Sequence, residues 1–259
     1  MVFKEEINKI GEASIKKATF LKNSKSRYVI ASALAGMFVG FGILLIFTIG
    51  GILSSANSPA TKIVMGVSFA IALSLVIMAG SELFTGNNMV MTIGVLEKKV
   101  TWKSLFSVWF FSYVGNFIGA IILAALFVYS GLSKGVTADF IIKTSAAKMS
   151  APFIELVIRG ILCNILVCLA VWCSFKLKEE TAKLIMIFWC LFAFITSGFE
   201  HSVANMTLLS ISVMIPHKAV VSLGGLAYNL TAVTLGNIIG GMIFVAFAYW
   251  YVSNDKCKL

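Results

Sequence analysis

Charged residues and prolines are scarce in this 259-residue chain. Only 12% of its residues are charged and three are proline, whereas 59% are hydrophobic. So little charge excludes a soluble domain of ordinary composition and a disordered chain, and 21 glycines without a regular period exclude a fibrous one. The mean hydropathy is +0.96, and apolar runs of about 20 residues recur. This composition predicts a polytopic, all-α membrane protein.

Motifs for metal, redox or nucleotide chemistry are also missing. Five cysteines are present, but none forms a C-x-x-C pair: Cys163, Cys168 and Cys173 are spaced five residues apart, and Cys190 lies in another apolar run. The chain has no Walker A loop and no H-E-x-x-H motif. The first apolar run is too long for a signal peptide. We therefore expect no cofactor, no metal site and no cleaved leader.

Six apolar segments are long enough to cross a bilayer. The predicted spans are roughly 28–50, 62–95, 104–129, 152–173, 183–215 and 222–251. If the N-terminus is cytoplasmic, fifteen of the 21 Lys and Arg residues lie in cytoplasmic segments and six in external ones. This bias predicts a multi-pass protein of the plasma membrane with both termini in the cytoplasm. It also explains the net charge of +10 without a nucleic-acid partner.

Polar segments flank these spans. Residues 1–26 are predicted to form a cytoplasmic amphipathic helix, with Ile7 and Ile10 on its apolar face. The simpler interpretation is an anchor on the cytoplasmic leaflet, and the alternative is a movable cap over a pore mouth. Residues 27–252 would form the transmembrane domain, and residues 253–259 a cytoplasmic tail.

The second and fifth spans exceed 30 residues, and each contains a polar patch with a glycine and a glutamate. The patches are G-S-E-L-F-T-G-N-N, residues 80–88, and G-F-E-H-S-V-A-N, residues 198–205. Glu82 and Glu200 are 118 residues apart, and so are Asn87 and Asn205. We interpret both patches as helix breaks. Lipid cannot satisfy the backbone groups that a break frees, so both breaks must face protein or a water-lined cavity.

A further match indicates an internal repeat. The motif G-N-F-I-G-A at 115–120 resembles G-N-I-I-G-G at 236–241, with an offset of 121 residues. The halves, about 27–130 and 150–252, contain three spans each. Because three is odd, the two halves are expected to be inverted in the membrane. Broken helices at matching positions of inverted repeats indicate a translocation path near the midplane.

Ionisable residues inside the spans are candidate functional groups, because charge is costly at that depth. The simpler role for Glu82 and Glu200 is to cap free helix N-termini or to accept hydrogen bonds from loop amides. That interpretation leaves His201 without a structural role. Glu155 and Arg159 are four residues apart near the outer end of the fourth span, which predicts a structural ion pair within or between subunits.

These motifs together resemble those of the formate–nitrite transporter family. They are G-S-E-L-F-T-G-N (80–87), G-F-E-H-S-V-A-N-M (198–206), R-G-I-L-C-N-I-L-V-C-L-A-V-W (159–172) and L-G-N-I-I-G-G (235–241). The resemblance extends from about residue 10 to residue 252 and is closest to the hydrosulfide channel branch. It implies an aquaporin-like fold, a homopentamer, one pore per subunit, and small monovalent anions such as hydrosulfide, formate and nitrite as substrates.

The resemblance also implies roles for individual residues. His201 would be the central pore histidine, Thr85 its hydrogen-bonding partner and Leu83 part of a constriction. The remaining assignments are Phe69, Leu73 and Phe194 in an apolar slit, Lys148 as an anion-attracting lysine in the outer vestibule, and Asn164 as a pore-lining amide. The G-N-N after Thr85 departs from the formate-channel pattern, so formate is not transferred directly as the substrate.

An apolar slit of this kind would favour weak acids. Bare ions such as chloride are rejected because desolvating a lone charge is costly, whereas a weak-acid anion can take up a proton and cross as the neutral acid. His201 would either hydrogen-bond the anion or shuttle a proton as the pH falls. The sequence therefore predicts a passive, pH-sensitive channel, with hydrosulfide first and formate and nitrite also conducted.

Three alternatives compete with this channel. A dedicated formate or nitrite transporter with proton coupling is the nearest one. A neutral-solute pore of the aquaporin type would need paired N-P-A motifs, which the sequence lacks. An enzyme that uses Glu200 and His201 as acid and base would lack a nucleophile, a metal cluster and a cofactor motif, so we expect no enzymatic activity.

Overall fold

The computed structural model describes residues 3–216 and 221–253, and these residues form helices joined by short loops. The α-helices are α1 (Lys4–Asn23), α2 (Lys25–Ser55), α3 (Thr61–Ser68), α4 (Ile71–Leu75), α5 (Phe84–Leu96), α6 (Trp102–Tyr129), α7 (Gly135–Ser150), α8 (Phe153–Lys176), α9 (Glu180–Ser197), α10 (Ser202–Met214), α11 (Leu223–Ile239) and α12 (Ala248–Val252). Two π-helical segments, Val76–Gly80 and Gly240–Phe247, continue α4 and α11. Of the predicted tail 253–259, only Ser253 lies within the described residues.

Among the described residues, six helical segments are long and apolar enough to cross a membrane, which confirms the predicted number of spans. They are Lys25–Ser55, Thr61–Gly80, Trp102–Tyr129, Phe153–Lys176, Glu180–Ser197 and Leu223–Val252. In contrast, α5 and α10 have 13 residues each, which is too short for a crossing that needs about 20. Helix α7 lies outside the predicted spans, because its apolar positions are interspersed with lysine, serine and threonine.

The helical run is interrupted before α5 and again before α10. Gly80 ends the π-helical segment after α4, and Gly198 ends α9; both have a φ of +78°. Glycine adopts this left-handed conformation without the steric penalty that a Cβ imposes. Residues 81–83 and 199–201 then connect to α5 and α10 in non-helical conformations. The two glycines therefore allow the chain to turn at equivalent points, 118 residues apart.

Two pairs of spans pack so closely that a glycine at the contact has no room for a side chain. A Cβ added at Gly119 on α6 would overlap the carbonyl oxygen of Ala33 on α2, and one at Gly236 on α11 would overlap the carbonyl oxygen of Val157 on α8. Small residues at such contacts are typical of helices that pack within membranes. The helices α5 and α10 are buried along most of their length, so the core of the protein is centred on the two short helices.

The amphipathic helix predicted for residues 1–26 is present as α1. Its apolar side chains Ile7 and Ile10 are buried. The ammonium group of Lys99, just after α5, lies 2.9 Å from a carboxylate oxygen of Glu12 on α1. Apolar contacts and an ion pair therefore attach α1 to the rest of the protein at the end of α5.

We expect Gly119→Ala to destabilise the protein because the new methyl group has no space beside Ala33. Overpacking of this kind typically costs about 1–3 kcal/mol. Gly86→Ala is the matched control, since a Cβ there would meet its nearest atom, Val171 Cγ2, at an ordinary 3.5 Å. Thermal unfolding in detergent should show a lower melting temperature for Gly119→Ala only. Equal melting temperatures for the two variants would contradict this account of the packing.

Candidate functional site

The break before α5 is held by the side chain of Asn116 on α6. Its Oδ1 accepts the backbone N–H of Phe84 at 2.9 Å. Its Nδ2 donates to the carbonyl oxygens of Ser32, at 2.7 Å, and Glu82, at 2.9 Å. Membrane lipid offers no partners for such backbone groups. One fully buried amide therefore joins the break to α2 and to the first residue of α5.

The break before α10 is held in the same way by Asn237 on α11. Its Oδ1 accepts the backbone N–H of Ser202 at 2.9 Å, and its Nδ2 donates to the carbonyl oxygens of Gly160, at 2.8 Å, and Glu200, at 3.0 Å. Asn116 and Asn237 are the asparagines of the two matching G-N motifs. The sequence match thus extends to the hydrogen bonds, although the sequence analysis assigned these asparagines no role.

Glu82 is engaged in an ion pair and does not cap a helix. The ammonium group of Lys17 on α1 lies 2.9 and 2.8 Å from its two carboxylate oxygens. The hydroxyl of Tyr28 donates to the same carboxylate at 2.9 Å, and Asn87 Nδ2 donates to it at 3.3 Å. The capping role predicted for Glu82 is therefore replaced by a charged network. Lys17 is 65 residues away along the chain, so no local pattern indicated it.

Glu200 forms the corresponding pair on the other side of the site. Its carboxylate accepts from Lys148 on α7 at 2.6 Å and from Asn205 Nδ2 at 2.7 Å. Asn205 Nδ2 also lies 2.9 Å from Asn229 Oδ1. Glu200 again has a structural role other than capping. The charge of Lys148, which was predicted to attract anions, is largely compensated by this buried carboxylate.

The cap of α10 is His201 itself. Its Nδ1 accepts the backbone N–H of Ala204 at 3.1 Å, and its Nε2 lies 3.0 Å from Thr85 Oγ1. In a neutral imidazole one nitrogen carries the hydrogen and the other accepts. Because Nδ1 accepts, Nε2 carries the hydrogen and donates towards Thr85. His201 thus has the structural role that the sequence analysis could not assign, and it presents one N–H at the centre of the protein.

A narrow apolar cavity lies beside His201, and we call it the apolar slit. Its volume is about 10 Å³, roughly the space of one water molecule. The predicted residues Phe69, Leu73, Leu83, Phe194 and His201 all line it, together with Val39, Ala72, Val167 and Leu191. The rings of Phe194 and His201 stack with their centroids 6.0 Å apart, and Phe69 meets Phe194 edge-on at 5.6 Å.

A larger cavity of about 430 Å³ is also lined by His201, and we call it the vestibule. Three basic residues line it, Lys62, Lys148 and Arg159, against one acidic residue, Glu200. The guanidinium group of Arg159 lies 2.6 Å from the carboxylate of Glu155, the pair expected from their spacing. Within the described part of the chain, Lys62 has no acidic partner. Lys62, which the sequence analysis did not single out, is therefore the basic group with an uncompensated charge in the vestibule.

Asn164 lies behind Thr85 and lines neither the apolar slit nor the vestibule. Its Nδ2 donates to the carbonyl oxygen of Asn237 at 2.6 Å and lies 3.3 Å from that of Thr85. The pore-lining role of Asn164 therefore stays a prediction. Through these hydrogen bonds to backbone carbonyls of α5 and α11, Asn164 links both helices to α8.

Six apolar spans around a narrow slit, with His201 in its wall and a basic vestibule beside it, define a multi-pass membrane transport protein. The chain belongs to the formate/nitrite transporter family, whose model matches residues 4–251. The family resemblance inferred from the motifs is thereby confirmed. Its relatives in this family are transporters and channels, which agrees with the expectation that the chain is not an enzyme.

Individual relatives cover nearly the whole chain. The nitrite transporter NirC of Salmonella typhimurium (strain LT2) is 41% identical over 253 residues, 97% of this chain and 93% of the relative. The formate channel FocA of Escherichia coli (strain K12) is 31% identical, covering 93% of this chain and 90% of the relative. Among solved structures, an FNT family ion channel has a TM-score of 0.92 at 40% identity, with 97% of this chain and all of the other covered. A pentameric formate channel with formate bound has a TM-score of 0.77 at 28% identity, with coverage of 90% and 98%.

We expect Asn237→Asp to destabilise the break before α10. A carboxylate cannot donate to the carbonyl oxygens of Gly160 and Glu200, and each buried group left unsatisfied costs about 1–3 kcal/mol. Asn23→Asp introduces the same charge at an exposed position and is the control. The yield of monodisperse protein and its melting temperature in detergent should fall for Asn237→Asp alone. A melting temperature equal to that of the control would refute the role assigned to Asn237.

Proposed function

We propose that the protein is a passive, pH-sensitive channel for small monovalent anions of weak acids, which cross the apolar slit in the neutral, protonated form. The observation that carries this proposal is the slit itself, which has room for about one water molecule and whose lining, among the described residues, has His201 as its one polar side chain, with Thr85 bonded to its Nε2. An ion that crossed it bare would lose nearly all its hydration, at a cost of many kcal/mol. A neutral acid avoids most of that cost.

The hydrogen bonds of His201 indicate which group supplies the proton that the permeating anion takes up. An imidazolium would need a hydrogen on Nδ1, and that hydrogen would displace the bond from the Ala204 N–H. It would also place a positive charge at the positive end of the α10 dipole. His201 therefore acts as a neutral donor through Nε2, and the permeating anion takes its proton from water in the vestibule. Flux should rise as the pH falls, because a larger fraction of the substrate is then protonated.

Nitrite is the first candidate substrate, because proteins named nitrite transporters are 41% identical over nearly the whole chain. Formate is the second candidate substrate, because a protein named as a formate channel is 31% identical to this chain. Hydrosulfide rests on the motif resemblance alone and belongs in the same set of tests. A dedicated formate or nitrite transporter with obligatory proton coupling is the alternative, and it would conduct one anion far better than the other two.

The assembly that we propose is a homopentamer in which each subunit has its own pore. It is supported by the similarity to a pentameric formate channel and by large apolar side chains exposed on the spans, such as Phe41 and Leu126. The two halves would form inverted repeats of an aquaporin-like fold. The distribution of Lys and Arg supports a plasma-membrane location with α1 and both termini in the cytoplasm.

Anion flux into proteoliposomes tests the proposal directly. We expect nitrite, formate and hydrosulfide to enter much faster than chloride, and faster at the lower of two pH values, because each can be protonated and chloride cannot. The rank order among the three would identify the preferred substrate. Chloride flux equal to that of the weak acids would contradict a route through the neutral acid.

A variant at Thr85 tests the hydrogen bond to His201 while leaving the helix cap formed by His201 in place. Thr85→Val removes the hydroxyl beside His201 Nε2 with little change in shape, whereas replacing His201 would also remove the cap of α10. Thr92→Val is the control, since its hydroxyl donates to Asn88 within α5, away from the slit. One hydrogen bond has a net value of about 0.5–1.5 kcal/mol, so weak-acid flux should fall about 2–10-fold in Thr85→Val only. Equal flux in the two variants would remove Thr85 from the mechanism.

We expect Lys62→Gln to lower weak-acid flux at low ionic strength, because its uncompensated charge concentrates anions at the vestibule. At about 1 M salt the Debye length is only about 3 Å, and the variant should match the unmodified protein. Lys134→Gln removes the same charge from the loop between α6 and α7, outside the vestibule, and should have little effect. A loss that persists at high salt, or an equal loss in both variants, would contradict electrostatic attraction by Lys62.

A further inference from the structure

A separate cavity of about 340 Å³ lies between α1, α2 and α6, and we call it the three-lysine cavity. Its basic residues are Lys22 near the end of α1, Lys25 at the start of α2 and Lys103 at the start of α6. The hydroxyls of Ser104 and Ser107 lie in the same wall. Basic residues from three separate helices thus line one space that plays no part in the proposed transport path.

The three lysines of the cavity are not neutralised by a carboxylate, unlike two other lysines on α1 and after α5. Lys17 and Lys99 each form an ion pair with a glutamate. Among the described residues, Lys22, Lys25 and Lys103 have no acidic partner, and no acidic residue lines the cavity. Three like charges around one space repel one another, so an anion between them would relieve that repulsion and bind favourably. The lysines and hydroxyls together suit an oxygen-rich anion such as a phosphate.

The position of the cavity indicates that its ligand also has an apolar part, which lies in the membrane. Both α2 and α6 cross the membrane and both begin at this cavity, which places it at the boundary between membrane and water. Phe111 forms an apolar part of its wall, with the ammonium group of Lys25 5.6 Å from the ring centroid. Along α6, Trp102, Phe106 and Phe110 are exposed by 48%, 58% and 62%, as expected for side chains that face lipid.

We propose that the three-lysine cavity binds the phosphate group of an anionic phospholipid, with the acyl chains against the exposed aromatic side chains of α6. Basic pockets at the membrane boundary bind anionic lipid headgroups by this chemistry. Because the lysines belong to three helices, one phosphate bridges α1 to both spans. Bound lipid therefore stabilises the attachment of α1. This proposal is independent of which anion the channel conducts.

The test is a thermal-stability titration of the purified, delipidated full-length protein in a neutral detergent. The added ligands are short-chain phosphatidylglycerol, short-chain phosphatidylcholine and inorganic phosphate. The cavity variant combines Lys22→Gln, Lys25→Gln and Lys103→Gln. The control variant combines Lys4→Gln, Lys16→Gln and Lys98→Gln, which removes the same charge from α1 and the loop after α5 without touching the cavity.

Phosphatidylglycerol should raise the melting temperature of the unmodified protein and of the control. Its affinity for the cavity variant should be about a hundredfold weaker, at roughly 1 kcal/mol per lysine. Phosphatidylcholine and inorganic phosphate should have little effect. Equal responses of the two triple variants to phosphatidylglycerol would overturn the site. A lysine-dependent response to inorganic phosphate that matches the lipid would overturn the lipid as ligand.

A single substitution provides the same test if the cavity variant does not fold. Lys103→Glu places a carboxylate in the three-lysine cavity, where it would repel the phosphate and pair with Lys22 or Lys25. Lys98→Glu makes the same charge change outside the cavity. Loss of the phosphatidylglycerol response in Lys103→Glu alone supports the proposal, and its retention in both variants overturns it.

Discussion

The structure depends on how the protein satisfies backbone groups at two helix breaks that lie among apolar spans. Neither lipid nor apolar side chains can hydrogen-bond a free N–H or C=O, and each one left unpaired would cost several kcal/mol. Asn116 and Asn237 provide those partners from the helices that follow each break. With both breaks held, α5 and α10 begin next to each other. That is why Thr85 Oγ1 and His201 Nε2, 116 residues apart, lie within 3.0 Å.

The two halves of the chain share a scaffold but differ in chemistry. Each half has a left-handed glycine, an asparagine at its break and a glutamate paired with a lysine. Leu83 occupies the position in the first half that His201 occupies in the second, 118 residues later, and both line the apolar slit. The repeated contacts stabilise the breaks, and the difference between Leu83 and His201 introduces a polar group into the slit.

The buried charges are balanced locally, and this has a functional consequence. Lys17 neutralises Glu82, and Lys148 neutralises Glu200, so neither carboxylate presents a bare negative charge to an approaching anion. The excess positive charge of the vestibule then belongs to groups near its mouth, such as Lys62. The pair between Lys17 and Glu82 also joins α1 to the first break. Movement of α1 as a cap would therefore have to break an ion pair beside the slit, in addition to the contacts of Ile7 and Ile10.

Hydropathy and local spacing determined much of this protein from the sequence alone. The six spans follow from apolar run lengths, and the two interruptions follow from polar patches 118 residues apart. The slit residues Phe69, Leu73, Leu83 and Phe194 came from the resemblance to the family, which rests on its motifs. The tertiary structure decided which buried residues pair with one another through ion pairs and hydrogen bonds. Lys17 pairs with Glu82 across 65 residues, Lys148 pairs with Glu200 across 52, and Asn164 donates to the carbonyl oxygen of Asn237. A one-dimensional pattern records which residues are polar and at what depth. Which buried donor meets which acceptor depends on how the helices pack, because that packing sets the distances over which charges and hydrogen bonds act.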